Sequence, residues 1–266
     1  MYDEPYRWVE AVGNRRQYLD EQFKQGSPVV ALSYADGVLL LTVSRGTPKL
    51  YEIYDRLGLG GMGHPADLEK LRFSLLEMAH VEGFNRSPSD VTGARLMKNG
   101  LAPVIKQAFE EIYKAPFIVK ILLAEVGLKP EKDTFLTVNY DGTFEEMPGW
   151  AVLAATPAVQ QDMSVYLKRE TGLVSAPLPR AVSSALQAWA LGSVAQQRAE
   201  AEGDHEPSQP ASSPPDSTAL FAHLRETVAE KTIECAVMER GAPGSSKYRT
   251  LTAEELGGLL PSEIKG

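Results

Sequence analysis

The chain has 266 residues, a formal net charge of -8 and one cysteine. That length holds one large domain or two small ones, and the acidic balance argues against nucleic acid as the main partner. Cys235 alone excludes an internal disulfide and fits a reducing compartment, where a buried thiol is its ordinary role. No apolar run reaches the ~18 residues of a membrane span. "MYDEPYRWVE" also lacks a secretory apolar core, so a soluble, cytoplasmic protein is expected.

A helix is predicted over about 7–25, with Trp8, Val12, Tyr18 and Phe23 too loosely spaced for a wide core stripe. It belongs on a surface or between subunits. "VVALSYADGVLLLTV" then reads as two strands joined at Ala35-Asp36-Gly37, since Asp-Gly between apolar runs signals a hairpin. Ser27 opens the first strand, where some hydrolases carry a nucleophile; the residues leave open whether it is one or only closes a turn. "KLYEIYD" and "RLGLGGMG" form a second strand pair. Gly58 to Gly63 match a dinucleotide-binding fingerprint, but the strand reads as part of a hairpin, without a parallel return strand or the acidic residue expected downstream. A glycine-rich strand that permits close backbone approach is the better reading.

A long helix follows from Pro65, with Leu68, Leu71, Leu75 and Met78 on one face, and "NRSPSD" ends it. A second helix is predicted over about 91–113, striped by Leu101, Val104, Ile105, Ala108 and Ile112 and kinked at Pro103. "FIVKILLAEVG", "TFLTVNY" and "GWAVLAAT" read as strands, with "YDG" turning the chain before the last of them. Two helices come next, "TPAVQQDMSVYLKRE" and "LPRAVSSALQAWALGSVAQQ". Residues 199–216, rich in Glu, Gly, Ser and Pro, predict a flexible insertion. A short helix over about 220–230, the strand "KTIECAVMER" and a tail with Thr252 and Glu255 at capping-box spacing complete the chain.

Strands and helices do not alternate, which argues against a doubly wound sheet; stacked antiparallel sheets with helices on both outer faces are expected. His64, His80, His205 and His223 show no ligand spacing, so neither a metal nor a cofactor is expected. Glu110 and Glu111 read as solvated helix-face charges.

"VVALSYADGVLLL", "KLYEIYDRLGLGGMG", "DLEKLR", "DVTGARL", "YKAPF", "AEVG", "YDG" and "LPRAVSSALQAWALGS" stand in the order and spacing of one known family. They resemble the α-type subunits of the bacterial, actinobacterial-like proteasome core particle. The resemblance covers roughly 4–197 and resumes on "IECAVMER" and "YRTLTAEELGGLL", with the stretch 199–230 departing from it. It implies an α+β fold, the four-layer α-β-β-α sandwich of the N-terminal nucleophile hydrolases, as a single domain over 1–266.

Catalytic β-type relatives begin with a Thr whose freed amine is the base. Ser27 matches that position, but Pro28 follows it, the helix before it reads as retained, and Val43 stands where those relatives carry an Asp. Lys49 and Gly63 match the catalytic Lys and the oxyanion-side Gly.

The resemblance therefore implies a non-catalytic subunit of a homo-heptameric outer ring that stacks on β-type subunits, admits unfolded polypeptide and docks a ring-shaped ATPase activator. Met1, Tyr2, Asp3, Glu4, Pro5 and Tyr6 match the gating tail within an N-terminal segment 1–26, and Tyr113, Lys114, Ala115, Pro116 and Phe117 match the pore constriction. Lys49 matches the lysine that receives activator C-termini. An active hydrolase with Ser27 exposed by self-cleavage, or a stand-alone scaffold ring, are the alternatives.

Overall fold

The structure is a computed structural model, and it describes residues 4–111, 113–202 and 217–264. Two five-stranded sheets, antiparallel throughout, face each other. The first has the order β10-β9-β2-β1-β8 and the second β3-β4-β5-β6-β7. In the first sheet the strands are β1 (Val29–Tyr34), β2 (Gly37–Ser44), β8 (Trp150–Leu153), β9 (Thr232–Glu239) and β10 (Tyr248–Thr250). In the second they are β3 (Leu50–Tyr54), β4 (Leu57–Gly63), β5 (Val119–Glu125), β6 (Thr134–Val138) and β7 (Phe144–Pro148).

Helices cover both outer faces. α2 (Pro65–Asn85), α3 (Gly93–Leu96) and α4 (Ala102–Glu110) lie on the second sheet, where Leu68, Leu71, Leu75 and Ile105 meet Leu59, Ile121 and Leu123. α5 (Pro157–Arg169), α6 (Leu178–Glu202), α7 (Ser217–Val228) and α8 (Ala253–Leu259) lie on the first, with Met163, Trp189 and Leu224 in one cluster with Leu39, Leu41 and Val237. This is the expected four-layer sandwich. β2 is buried along its whole length, which explains its unbroken apolar run.

Several local expectations change. The hairpin loop is Ala35-Asp36, since Tyr34 already pairs with Gly37, and no non-glycine residue of the described chain has positive φ. Gly37 is needed for another reason: a Cβ there would lie 1.9 Å from the Met238 carbonyl oxygen on β9. In the glycine-rich strand, a Cβ on Gly61 would lie 2.3 Å from Leu68, so the motif serves close packing of α2. The β7 and β10 strands add to the predicted set.

The helix predicted over 91–113 is a short α3, a π-helical stretch Met97–Leu101 and α4. Pro103 has no N–H to give Asn99, and the wider turn falls just ahead of it. The buried stripe is Leu101, Ala102, Ile105 and Phe109, while Val104 is exposed. α6 runs to Glu202, so 199–202 are helical rather than part of a loop; 203–216 lie outside the described residues.

α1 (Glu4–Phe23) is held more firmly than its sequence predicts. Leu19 and Phe23 are buried in the inter-sheet cluster, and Phe23 stacks on Tyr140 with ring centroids 5.8 Å apart. Beside them lies Lys120 of β5, only 7% exposed. Its ammonium donates to the Ala154 and Ala155 carbonyls, at 2.9 Å each, and sits 4.8 Å from the Phe23 ring centroid. Burial pushes its pKa down to about 8, against the pull of Asp20 and Asp141.

Folding therefore costs Lys120 its proton over the range in which the unfolded chain still keeps it. From about pH 8 to the ordinary value of 10.5, the unfolded state binds more protons, so this group makes stability rise with pH. Replacing Lys120→Met removes that slope. The stability difference, native minus variant, should grow by up to about 3 kcal/mol across this range in urea titrations at stepped pH. A pH-independent difference would mean that Lys120 titrates as an ordinary lysine.

Candidate functional site

The site forms where β1 and β2 leave the sandwich. Pro28 ends the link from α1 and sets the chain into β1, with its carbonyl accepting from Thr42 Oγ1 at 2.7 Å. Ser27, one residue earlier, is half-buried. Its hydroxyl donates to the Val43 carbonyl at 2.5 Å and accepts the Trp189 indole N–H at 3.1 Å. A serine nucleophile must give its single hydroxyl proton to a base. Here that proton faces a backbone carbonyl.

Ser27, Trp189, Lys49 and Gly63 line one open cavity of about 580 Å³. Of the residues read from the sequence as a possible catalytic set, the fold thus brings Ser27, Lys49, Gly63 and Val43 together. Lys49 precedes β3 and its backbone is fixed on both sides. Its N–H donates to Glu234 Oε2 at 2.9 Å, and its carbonyl accepts from Gly61 at 2.9 Å. Glu234 of β9 also accepts from the Ser44 hydroxyl at 2.7 Å and the Leu50 N–H at 3.3 Å.

Burial pushes the Lys49 pKa down; Glu234 pulls it up and Lys231 pushes it further down. Among the described residues, no carboxylate lies within ion-pair distance of its ammonium. Lys49 is thus a half-buried cation that lines an open cavity without an ion-pair partner among the described residues. Glu234, Trp189 and Lys231 were not singled out from the sequence. A glutamate flanked by apolar residues in "TIECAV" was the available signal for Glu234; nothing local marks the other two.

The segment Tyr113–Phe117 stands apart from this cavity. Arg15 of α1 anchors its start, donating to the carbonyls of Ala108, Phe109, Glu111 and Lys114 at 2.7–3.1 Å. At the other end, Phe117 lies under Lys70 at 5.2 Å, and the Ile118 N–H donates to Asp67 at 2.9 Å. Tyr113, pinned between these anchors, is 99% exposed. Of the tail, Met1, Tyr2 and Asp3 lie outside the described residues; Glu4, Pro5 and Tyr6 open α1.

His64 caps α2 through Nδ1, His80 packs edge-on to Tyr54, and His223 stacks on Trp189. Among the described residues, no group of three or more His, Cys, Asp or Glu is arranged to hold a metal, and no helix is long and apolar enough to cross a membrane.

Comparison with known proteins places the chain among proteasome subunits. The family model described as "Proteasome subunit" matches residues 23–173. The chain is 31% identical over 249 residues to a proteasome subunit alpha of Actinosynnema mirum, covering 93% of this chain and 83% of that one. It is 27% identical to the proteasome subunit alpha of Streptomyces griseus, covering 97% and 84% of the two chains. With that of Saccharopolyspora erythraea it shares 29% identity over 90% of this chain and 80% of the relative.

The hydroxyl of Ser27 is a structural tie, so its removal should be felt in stability. Ser27→Ala leaves the Trp189 N–H without its acceptor, at a cost of roughly 1–3 kcal/mol in denaturant unfolding. Trp189→Phe in the Ser27→Ala background should then add less than it does alone, because the shared bond is already gone. Strict additivity of the two substitutions would show that the indole and the hydroxyl are not partners.

Proposed function

The chain belongs to the proteasome subunit family, and from that premise we propose that it is a non-catalytic α-type subunit of the core particle. In this reading it assembles with neighbouring α subunits in a homo-heptameric outer ring on β-type subunits, in the cytoplasm. It admits unfolded polypeptide and docks a ring-shaped ATPase at its outer face. The carrying observation is the state of Ser27: its proton is committed to the Val43 carbonyl, its lone pair accepts the Trp189 N–H, and Pro28 follows it.

Lys49 is the proposed docking residue. Its backbone is clamped and it lines the cavity without an ion-pair partner among the described residues, which suits an incoming C-terminal carboxylate. Tyr113, Lys114, Ala115, Pro116 and Phe117 are proposed as the pore constriction. Their support is the pinning of both ends of the segment, which holds its aperture fixed. Residues 1–6 are proposed as the gate, within a single domain that spans the chain.

The assembled particle carrying Ser27→Ala should hydrolyse small fluorogenic peptides at the unaltered rate. Lys49→Ala should spare assembly yet weaken activator docking by about ten- to a hundredfold, the worth of one charge-assisted contact. Deleting residues 1–6 should raise peptide entry without any activator. In the combined variant, peptides should enter freely while the ATPase brings no stimulation. Loss of residues 1–26 by intact mass, together with peptidase activity abolished by Ser27→Ala, would overturn the non-catalytic assignment. Normal ATPase-driven degradation in the combined variant would remove Lys49 from the docking site.

A further inference from the structure

α4 ends without a terminal motif of its own. Residues 111–117 hold neither glycine nor asparagine to close the helix in a left-handed turn, and the Glu111 N–H bonds back to the Gln107 carbonyl. The next carbonyls are taken by Arg15 of α1. Its Nη1 donates to Ala108, Phe109 and Glu111 at 3.1, 2.7 and 3.0 Å, and its Nη2 donates to Lys114 at 2.8 Å. One guanidinium therefore spans the last turn of the helix and the chain on the far side of Tyr113.

Arg15 projects from a helix that other residues hold. Leu19 and Phe23 are buried between the sheets, and Arg16 lies 5.3 Å over the Phe109 ring and 3.4 Å from Asp141. The segment it grips has little of its own to fix it. Among the described residues, the one backbone bond of 113–117 runs from the Lys114 N–H to the Glu111 carbonyl, at 3.2 Å. The carbonyls at both ends of that turn accept from Arg15, and Tyr113 stands between them, 99% exposed. Glu111 and Lys114 pair with each other at 2.9 Å, so the tip presents an uncharged ring between mutually compensated charges.

We infer that Arg15 is a positioning residue of the constriction: it fixes Tyr113 at the tip of this turn, so α1 rather than the segment itself sets where the ring stands. The inference rests on the constriction reading above. A ring so held limits the girth of what passes. One extended chain goes by, whereas two strands side by side need Tyr113 displaced. Lysine at position 15 keeps the charge but loses the planar fork that meets carbonyls on both sides of the turn.

The test uses particles assembled with β-type subunits and lacking residues 1–6, so that the gate does not limit entry. The probe is an unstructured, fluorescein-labelled polypeptide with a pair of cysteines, either closed into a disulfide loop or reduced and alkylated. The ratio of looped to linear degradation is the quantity read, because a general loss of stability does not move it. Arg15→Lys should raise that ratio about tenfold, since losing one charge-assisted bond raises the population of displaced Tyr113 by that factor. Tyr113→Ala should raise it as well, and Arg15→Lys should add nothing in the Tyr113→Ala background. A ratio raised by Tyr113→Ala but unmoved by Arg15→Lys would overturn the role of Arg15 and leave the constriction standing, as would additive effects. A ratio unmoved by Tyr113→Ala would overturn the constriction itself. If Arg15→Lys does not assemble, the full-length chain answers directly. A nitroxide attached at Tyr113→Cys, with Cys235 only 1% exposed and so not labelled, should be immobilised by Arg15 and mobile in the Arg15→Lys variant. Equal mobility in the two would overturn the inference.

Discussion

One carboxylate closes the end of the sandwich on which the cavity depends. Glu234 stands on β9 of the first sheet and accepts the N–H groups of Lys49 and Leu50 at the start of β3 in the second, with the Ser44 hydroxyl on its other oxygen. Bonds to an ionised acceptor are roughly twice as strong as neutral ones. They tie the two sheets together beside the cavity. Lys49 cannot turn freely while its N–H is so held, and its ammonium gains a fixed origin. The clamp joins residues 185 positions apart, so it forms only once β9 has been laid beside β2.

The other side of the cavity is closed by the segment that precedes β1. α1 is fixed at several points: Leu19 and Phe23 in the inter-sheet core, the Tyr140 hydroxyl donating to Asp20 at 2.7 Å, and Arg15 on four carbonyls around the end of α4. Those carbonyls are orphans of a helix C-terminus, and a guanidinium satisfies several at once. The same residue therefore fixes α1 and the start of the Tyr113–Phe117 segment. Ser27 inherits its environment from this, and its hydroxyl joins the packing of β2 and α6.

Much of this was legible in the chain. Apolar runs, the proline-led helix starts of α2 and α5 and the Thr252–Glu255 capping box all locate elements by local chemistry, and the capping box is present with both reciprocal bonds. The four-layer arrangement followed from the element order. What escaped had no local cause. β7 reads "FEEMP", an exposed edge strand with neither alternation nor an apolar run. Gly37 was credited to a turn when its neighbour is Met238 on a strand some 200 residues away. Lys49 entered by family resemblance, since a lysine before a strand is otherwise unremarked. Glu234 and Lys231 gain their meaning only from the β2–β9 register, which no window of sequence contains.

The cavity is also where the chain departs from the economy seen elsewhere in it. On the outer faces, charges are paired along helices and strands, as with Arg72 and Glu69 or Arg249 with Glu239 and Glu255. The cores are mainly apolar, with Lys120 and the Asp133–Arg240 pair held by carbonyls and by each other respectively. At the sandwich end, Arg45, Lys49 and Lys231 line one cavity, and burial makes charge on Lys49 costlier against the pull of Glu234. A local conflict of this kind lowers folding stability, and sequences keep such conflicts where a ligand resolves them. The Ser27 hydroxyl is bound into the wall of the same cavity by the Val43 carbonyl and the Trp189 indole.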